Sequence, residues 1–110
     1  MLNKNWAIRR KMKEQEKELI PLLHEAANRW LEFGHQDIWS SDYYTDELGN
    51  FCNEAADKIT MNTISDDEKK KLFFIFAPTC EWDDSVGDVD LGNKIFELIN
   101  ALYRDVALSD

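Results

Sequence analysis

Residues Ser65–Pro78 read SDDEKKKLFFIFAP, and the conformation of this segment determines the fold class of the chain. Ser65 followed by Glu68 matches a capping box, in which each side chain accepts a hydrogen bond from the other residue's backbone N–H. The apolar run that follows would also suit a buried strand. The capping box and the three lysines before the run favour a helix, which begins near Asp66 and is closed by Pro78.

Two upstream segments repeat apolar residues at three- and four-residue intervals, as helices with one buried face do. The first is Pro21–Phe33, with Gly34 as its stop, and the second is Tyr43–Ile59, capped by Ser41 or Asp42. Gly49 lies inside the second segment. Glycine there costs about 1 kcal/mol relative to alanine, which indicates a close helix crossing.

Two more helices are predicted at the ends of the chain. Asn3–Glu18 consists of good helix formers with few apolar residues, and Pro21 predicts a break or kink at Ile20 between this helix and the next. Leu91–Val106 carries one apolar stripe and is capped by Asp88 or Asp90. Strand-like alternation is rare throughout. The sequence therefore predicts an all-α, single-domain bundle of four to five helices over residues 1–110.

The charge distribution restricts the classes of partner. The chain has a net charge of −9, but residues 1–20 carry six basic side chains against three acids. The acidic remainder is repelled by phosphate backbones and anionic lipids, so we expect no direct binding to nucleic acid or membranes. No apolar run reaches the length of about 18 residues that spans a bilayer. A basic protein partner fits this charge better.

The N-terminus and the cysteines indicate a cytoplasmic protein. The first residues include lysine and arginine but lack the continuous apolar region and cleavage site of a secretory signal. Cys52 and Cys80 are the only cysteines, and Cys52 falls on the apolar face of a predicted helix. We expect both thiols to be reduced.

Catalytic and metal-binding motifs fit the sequence poorly. The acids of residues 81–90 do not follow the order of an EF-hand, and Glu32–His35 is a single Glu-x-x-His spacing where a di-iron bundle needs two. His24 and His35 are the only imidazoles, and neither belongs to a nucleophile motif. Acids are abundant enough to place some pair in a cleft, as a carboxylate-pair hydrolase requires, but abundance is weak evidence for such a site. We expect no catalytic residues, no metal and no cofactor.

The segment Ala77–Gly92, APTCEWDDSVGDVDLG, is the candidate for partner binding. Its acids surround Trp82, a residue type that is common at interface hot spots. The alternative is structural, with an acidic turn, an aspartate cap and Trp82 covering the core. Residues 35–43 are predicted to form a loop that folds Ile38 and Trp39 inward. If this loop lies at the same end of the bundle, Asp37, Trp39 and Tyr43 extend the surface. The predicted partner-binding residues are Glu81, Trp82, Asp83, Asp84, Asp88, Asp90, Asp42, Asp46 and Glu47.

The chain resembles the small acidic immunity proteins of bacterial toxin–immunity systems, including those of the contact-dependent growth inhibition type. Three features carry the resemblance: the small helical domain, the segment Trp39–Asp46, and the segment Ala77–Asp84 that continues into Gly87–Gly92. Immunity families differ in fold, so the resemblance implies a role and not an architecture. It implies a non-catalytic protein that binds a basic toxin, such as a nuclease. The carboxylates of the immunity protein would then cover the toxin's active site, at the positions that the phosphates of the substrate occupy.

Two other functions are compatible with the sequence. A DNA-mimic inhibitor of a restriction or CRISPR-type effector needs carboxylates in a phosphate-like array, and thirteen basic residues, including Lys69–Lys71, interrupt such an array. A helical adaptor domain would use its basic leading helix for docking. In each case we expect a monomer or weak dimer.

Overall fold

The computed structural model describes residues 12–109, and all of its regular elements are α-helices. They are α1 (Glu14–Leu31), α2 (Thr45–Thr60), α3 (Asp66–Phe76), α4 (Glu81–Asp84) and α5 (Val89–Leu108). Within these residues no strand forms, and the only bridge is an isolated antiparallel one between Asp37 and Tyr44. Helix α1 packs on α2, α3 packs on α5, and α1 also contacts α5. The prediction of an all-α bundle is confirmed.

Helix α1 is continuous through Ile20, so of the predicted break or kink at this residue the break does not occur. Pro21 lies inside the helix with its side chain exposed to solvent. Leu19 and Leu23, on either side of it, are both fully buried. Proline removes one backbone hydrogen bond and disfavours helix at the preceding residue. Burial of one apolar face on both sides of Pro21 outweighs that local cost. The predicted helix Asn3–Glu18 falls mostly outside the described residues.

Helix α3 begins with the predicted capping box. The Ser65 backbone N–H donates to Glu68 Oε1 at 2.8 Å, and the Glu68 N–H donates to Ser65 Oγ at 3.1 Å. The Glu68 carboxylate also accepts a hydrogen bond from Lys58 of α2. That bond, followed by the one from the Ser65 backbone, lowers the pKa of Glu68. The helix ends at Phe76 because Ala77, which precedes Pro78, is extended. The choice of helix over strand is confirmed.

Gly49 lies at a close contact between α2 and α1. A Cβ at this position would lie 2.7 Å from Leu31 Cγ and 3.0 Å from the Ala27 carbonyl oxygen. The carbonyl belongs to the α1 backbone, which cannot move aside as a flexible side chain can. The predicted close helix crossing is therefore confirmed, and it fixes α1 against α2.

The two cysteines are free and have little tendency to ionise. Cys52 is fully buried on α2, and this burial raises the pKa of its thiol. The pKa of Cys80 is also raised, first by partial burial and then by the negative charge of Glu81 and its acidic neighbours. Because the thiolate is the reactive form, both thiols are poor nucleophiles.

Candidate functional site

Two chain connections meet at one end of the bundle. Residues 32–44 join α1 to α2, and residues 77–88 lead from α3 into α5. The Ser40 hydroxyl donates a hydrogen bond to Asp84 Oδ2, and the Ser41 hydroxyl donates to Glu81 Oε2 at 3.0 Å. These contacts confirm that both connections lie at the same end. We call residues 35–47 together with residues 81–90 the acidic end.

Trp82 is part of the core and not of the surface. Its side chain is 0% exposed, and its ring packs edge-on against Trp30 with 5.0 Å between centroids. The Phe76 ring lies tilted against it with 5.4 Å between centroids. The indole Nε1–H donates to the Asp88 carbonyl at 2.9 Å. The prediction that Trp82 offers a contact to a partner is therefore wrong, because this indole fills the space between α1, α3 and α5.

The acids of α4 hold the connection in place. Asp83 accepts a hydrogen bond from the backbone N–H of Thr79 at 2.7 Å, while Glu81 and Asp84 accept the two serine hydroxyls. None of these donors is charged, so none of these three hydrogen bonds brings a cation next to a carboxylate. The three side chains thus combine a structural role with a negative field at the acidic end.

Asp88 connects the start of α5 to α1. Its Oδ1 accepts the backbone N–H of Leu91 at 3.1 Å, which confirms the predicted aspartate cap, and its Oδ2 accepts Arg29 Nη1 at 2.9 Å. The bond from Leu91, followed by the one from Arg29, lowers the pKa of Asp88. The adjacent Trp30 Nε1–H donates to Ser85 Oγ at 2.8 Å. Consecutive residues of α1 therefore fix this side of the acidic end.

The lowered pKa of Asp88 predicts a loss of stability in acid. A carboxylate with a lower pKa in the folded chain stabilises the fold at neutral pH, and this contribution is lost as the pH falls through the folded pKa. Asp88→Asn keeps a capping side chain but removes the titrating group. We expect its urea unfolding midpoint to change less between pH 7 and pH 3 than that of the unmodified chain. Asp90→Asn, two residues away, is the control for the loss of one nearby charge, and Asp88→Asn should differ from the unmodified chain more than this control does. Equal pH dependence in all three proteins would contradict the assignment.

The acids at the start of α2 are also partly engaged. His35 Nδ1 lies 2.9 Å from Asp46 Oδ1, and the His35 ring stacks on Tyr44 with 4.0 Å between centroids. Glu47 accepts the backbone N–H of Tyr44 at 2.9 Å, which caps the helix. In the part of the chain that the structure describes, no side-chain hydrogen bond or ion pair engages the carboxylates of Asp42 or Asp90, and both residues are exposed. These two acids of the predicted set have no structural role that the contacts reveal.

Trp39 is the most exposed of the large apolar side chains at the acidic end. It is 86% exposed, whereas the adjacent Ile38 is 2% exposed. The prediction that both fold inward is correct for Ile38 and wrong for Trp39. The Ser41 N–H donates to the Ile38 carbonyl at 2.9 Å, so Trp39 and Ser40 form the tip of a tight turn. In this turn the chain buries the side chain of Ile38 and leaves that of Trp39 in solvent.

The turn that carries Trp39 is anchored on both sides. Buried Ile38 holds the chain before it, and the hydrogen bonds of Ser40 and Ser41 to α4 hold the chain after it. Further along, Lys71 Nζ of α3 lies 4.5 Å from the ring centroid of Tyr43 and 4.4 Å from that of Phe51. Sequence reasoning missed these contacts, because they join residues that are distant in the chain. Together they present an exposed indole on a fixed backbone.

Comparison with known proteins adds no family to this description. No protein-family model, curated protein or solved structure matched the chain. Among residues 12–109, no group of three or more His, Cys, Asp or Glu side chains is arranged to hold a metal ion. None of the helices in the same range combines the length and apolarity needed to cross a bilayer. Arguments about function therefore depend on the geometry of the acidic end.

Proposed function

We propose that this chain is a non-catalytic inhibitor that binds a basic protein toxin through its acidic end, in the manner of a bacterial immunity protein. The observation that supports this function is the exposure of Trp39 on an anchored turn beside acids from two connections. Tryptophan is enriched at binding hot spots, and carboxylates beside an exposed indole add electrostatic complementarity to a positively charged partner. The partner contact that the sequence assigned to Trp82 passes to Trp39.

The charge of the acidic end indicates the chemistry of the partner. The segments around Trp39 contain the acids Asp42, Glu81 and Asp84. Of the nearby cations, Arg29 is paired with Asp88, and Lys71 lies over the rings of Tyr43 and Phe51. A positively charged surface would be attracted to this end and could associate ten to about a thousand times faster than a neutral one. A nuclease, which binds phosphates with basic residues, has such a surface.

The partner to test is the product of the gene immediately upstream, since immunity genes ordinarily follow their toxin genes. We expect this protein to form a complex with the chain and to lose its toxicity when the two are co-expressed. The double variant Trp39→Ala, Asp42→Asn should bind at least about tenfold more weakly, because it removes an aromatic contact and a charge. Affinity is measured by isothermal titration calorimetry, and helicity by circular dichroism.

Two controls make this experiment specific. Glu97→Gln removes one charge from an exposed position of α5 outside the acidic end and should leave the affinity within about twofold. Association of the unmodified chain should slow as salt is raised, because screening weakens attraction between exposed charges. An unchanged affinity in the double variant would exclude the acidic end as the interface. Failure of the upstream product to bind would favour the adaptor function.

A further inference from the structure

We propose that the partner places an arginine side chain on Trp39, with the guanidinium plane stacked on the indole and its N–H groups directed to the flanking carboxylates. This inference rests on the proposed function and specifies its contact chemistry. It starts from one property of the acidic end. The largest exposed apolar surface and a set of carboxylates occupy the same few residues.

Carboxylates are linked to the residues next to Trp39 through the chain and through two hydrogen bonds. Ser40, the residue after Trp39, donates its hydroxyl to Asp84, and Ser41 donates to Glu81. Asp37 and Asp42 lie on the same loop, two residues before and three residues after Trp39, and both are exposed. A group that covers the indole therefore enters a negative field on both sides of the turn.

A purely apolar partner does not suit this surface. Covering the indole with an aliphatic side chain would bring carboxylates next to apolar atoms and remove part of their hydration, which costs free energy without a compensating contact. A nucleobase could stack on an indole, but its phosphates would meet the carboxylates. An anionic lipid surface is repelled for the same reason.

A cation with a flat face satisfies both parts of the surface. The face of an indole attracts cations through its quadrupole, and tryptophan is the strongest acceptor among the aromatic side chains. Guanidinium is planar, stacks on aromatic rings and has five N–H donors that pair with carboxylates in a fixed geometry. The lysine ammonium is a point charge that is more strongly hydrated. The surface therefore favours arginine over lysine at equal charge.

The anchoring of the turn supports the same conclusion. Stacking needs two planes in register, and ordering a flexible loop at the moment of binding would consume part of the affinity. Here the backbone on each side of Trp39 is already fixed, by Ile38 in the core and by the serine hydrogen bonds. Binding then has to order little more than the indole itself.

The test compares two peptides of equal charge, Ac-Gly-Arg-Gly-Arg-Gly-amide and its lysine counterpart, by nuclear magnetic resonance of the ¹⁵N-labelled chain. The chain has four tryptophans, so the indole signal of Trp39 is identified by its loss in Trp39→Leu. We expect the arginine peptide to shift this signal and to bind more tightly than the lysine peptide. In Trp39→Leu, which keeps apolar bulk without the ring, arginine binding should weaken about two- to fivefold and lysine binding less.

Two control variants separate stacking from simple charge attraction. Asp42→Asn should weaken the binding of both peptides, because it removes a negative charge that attracts either cation, and Glu97→Gln should affect neither. Equal binding of the two peptides, an unshifted Trp39 signal, or an arginine preference that persists in Trp39→Leu would each overturn the inference.

The inference and the proposed function fail in different ways. If the upstream product binds through the acidic end but the peptides are not distinguished, only the arginine contact is wrong. If the peptides behave as expected but the upstream product does not bind, the contact chemistry holds and the toxin assignment fails.

Discussion

Replacement of Trp82 by alanine is expected to lower the free energy of unfolding by about 3–5 kcal/mol, the range measured when large aromatic side chains are removed from well-packed cores. The indole is 0% exposed and contacts the rings of Trp30 and Phe76. Its Nε1–H bond to the Asp88 carbonyl is lost as well, which leaves that carbonyl without this donor. A small domain has only about 5–15 kcal/mol of net stability, so the variant will be close to unfolding.

The measurement is urea denaturation followed by circular dichroism, with the same substitution at Trp39 as the matched control. Trp39 is 86% exposed, so Trp39→Ala should change the unfolding free energy by no more than about 0.5 kcal/mol. The two tryptophans lie at the same end of the bundle, and both have acidic neighbours in the sequence. Similar losses for both variants, or a stable Trp82→Ala, would show that their roles have been assigned wrongly.

These contrasting indoles show why the sequence predicted an acidic end but not its exposed residue. Trp39 and Trp82 each stand in a polar segment with aspartates nearby, so composition does not distinguish them. Which indole enters the core depends on the direction of the backbone. A tight turn sends Ile38 inward and Trp39 outward, whereas the single turn of α4 directs Trp82 at Trp30.

The helices were more predictable because their signals are local. The Ser65–Glu68 capping box, the extended residue before Pro78 and the aspartate cap of α5 each depend on residues within a few positions. Pro21 is the exception. Its local effect disfavours helix at Ile20, yet the buried faces of Leu19 and Leu23 keep α1 continuous. Tertiary packing overrode a local rule.

The contacts that assemble the acidic end were beyond local reasoning. Ser40 and Asp84 are 44 residues apart in the chain, and Arg29 and Asp88 are 59 apart. Serine, aspartate and arginine are common at surfaces, so their pairing depends on how the helices are arranged. The sequence supported a shared end only through the alternation of connections in an up-and-down bundle.

Gly92 links the packing of α5 to the position of the buried indole. A Cβ at Gly92 would lie 2.4 Å from both Cδ1 and Nε1 of Trp82. The ring has no free direction to move, because Trp30 and Phe76 contact it and its Nε1–H is bonded to the Asp88 carbonyl. We therefore expect Gly92→Val to lower the free energy of unfolding by about 3 kcal/mol, at the upper end of the range for overpacked cores.

A double-mutant cycle distinguishes this steric effect from the low helix propensity of valine, which would act at any position of α5. Trp82→Phe removes part of the indole and makes room beside residue 92. The loss of unfolding free energy caused by Gly92→Val should therefore be smaller in the Trp82→Phe background than in the unmodified chain, by at least about 1 kcal/mol. Asn93→Val, at the exposed neighbouring position of the same helix, measures the cost of valine without contact to the indole and should be below about 1 kcal/mol. Strictly additive losses for Gly92→Val and Trp82→Phe would mean that the cost of valine at residue 92 does not come from its contact with the indole. A large coupling would show that the packing of α5 at this point depends on a residue without a side chain beside the Trp82 ring.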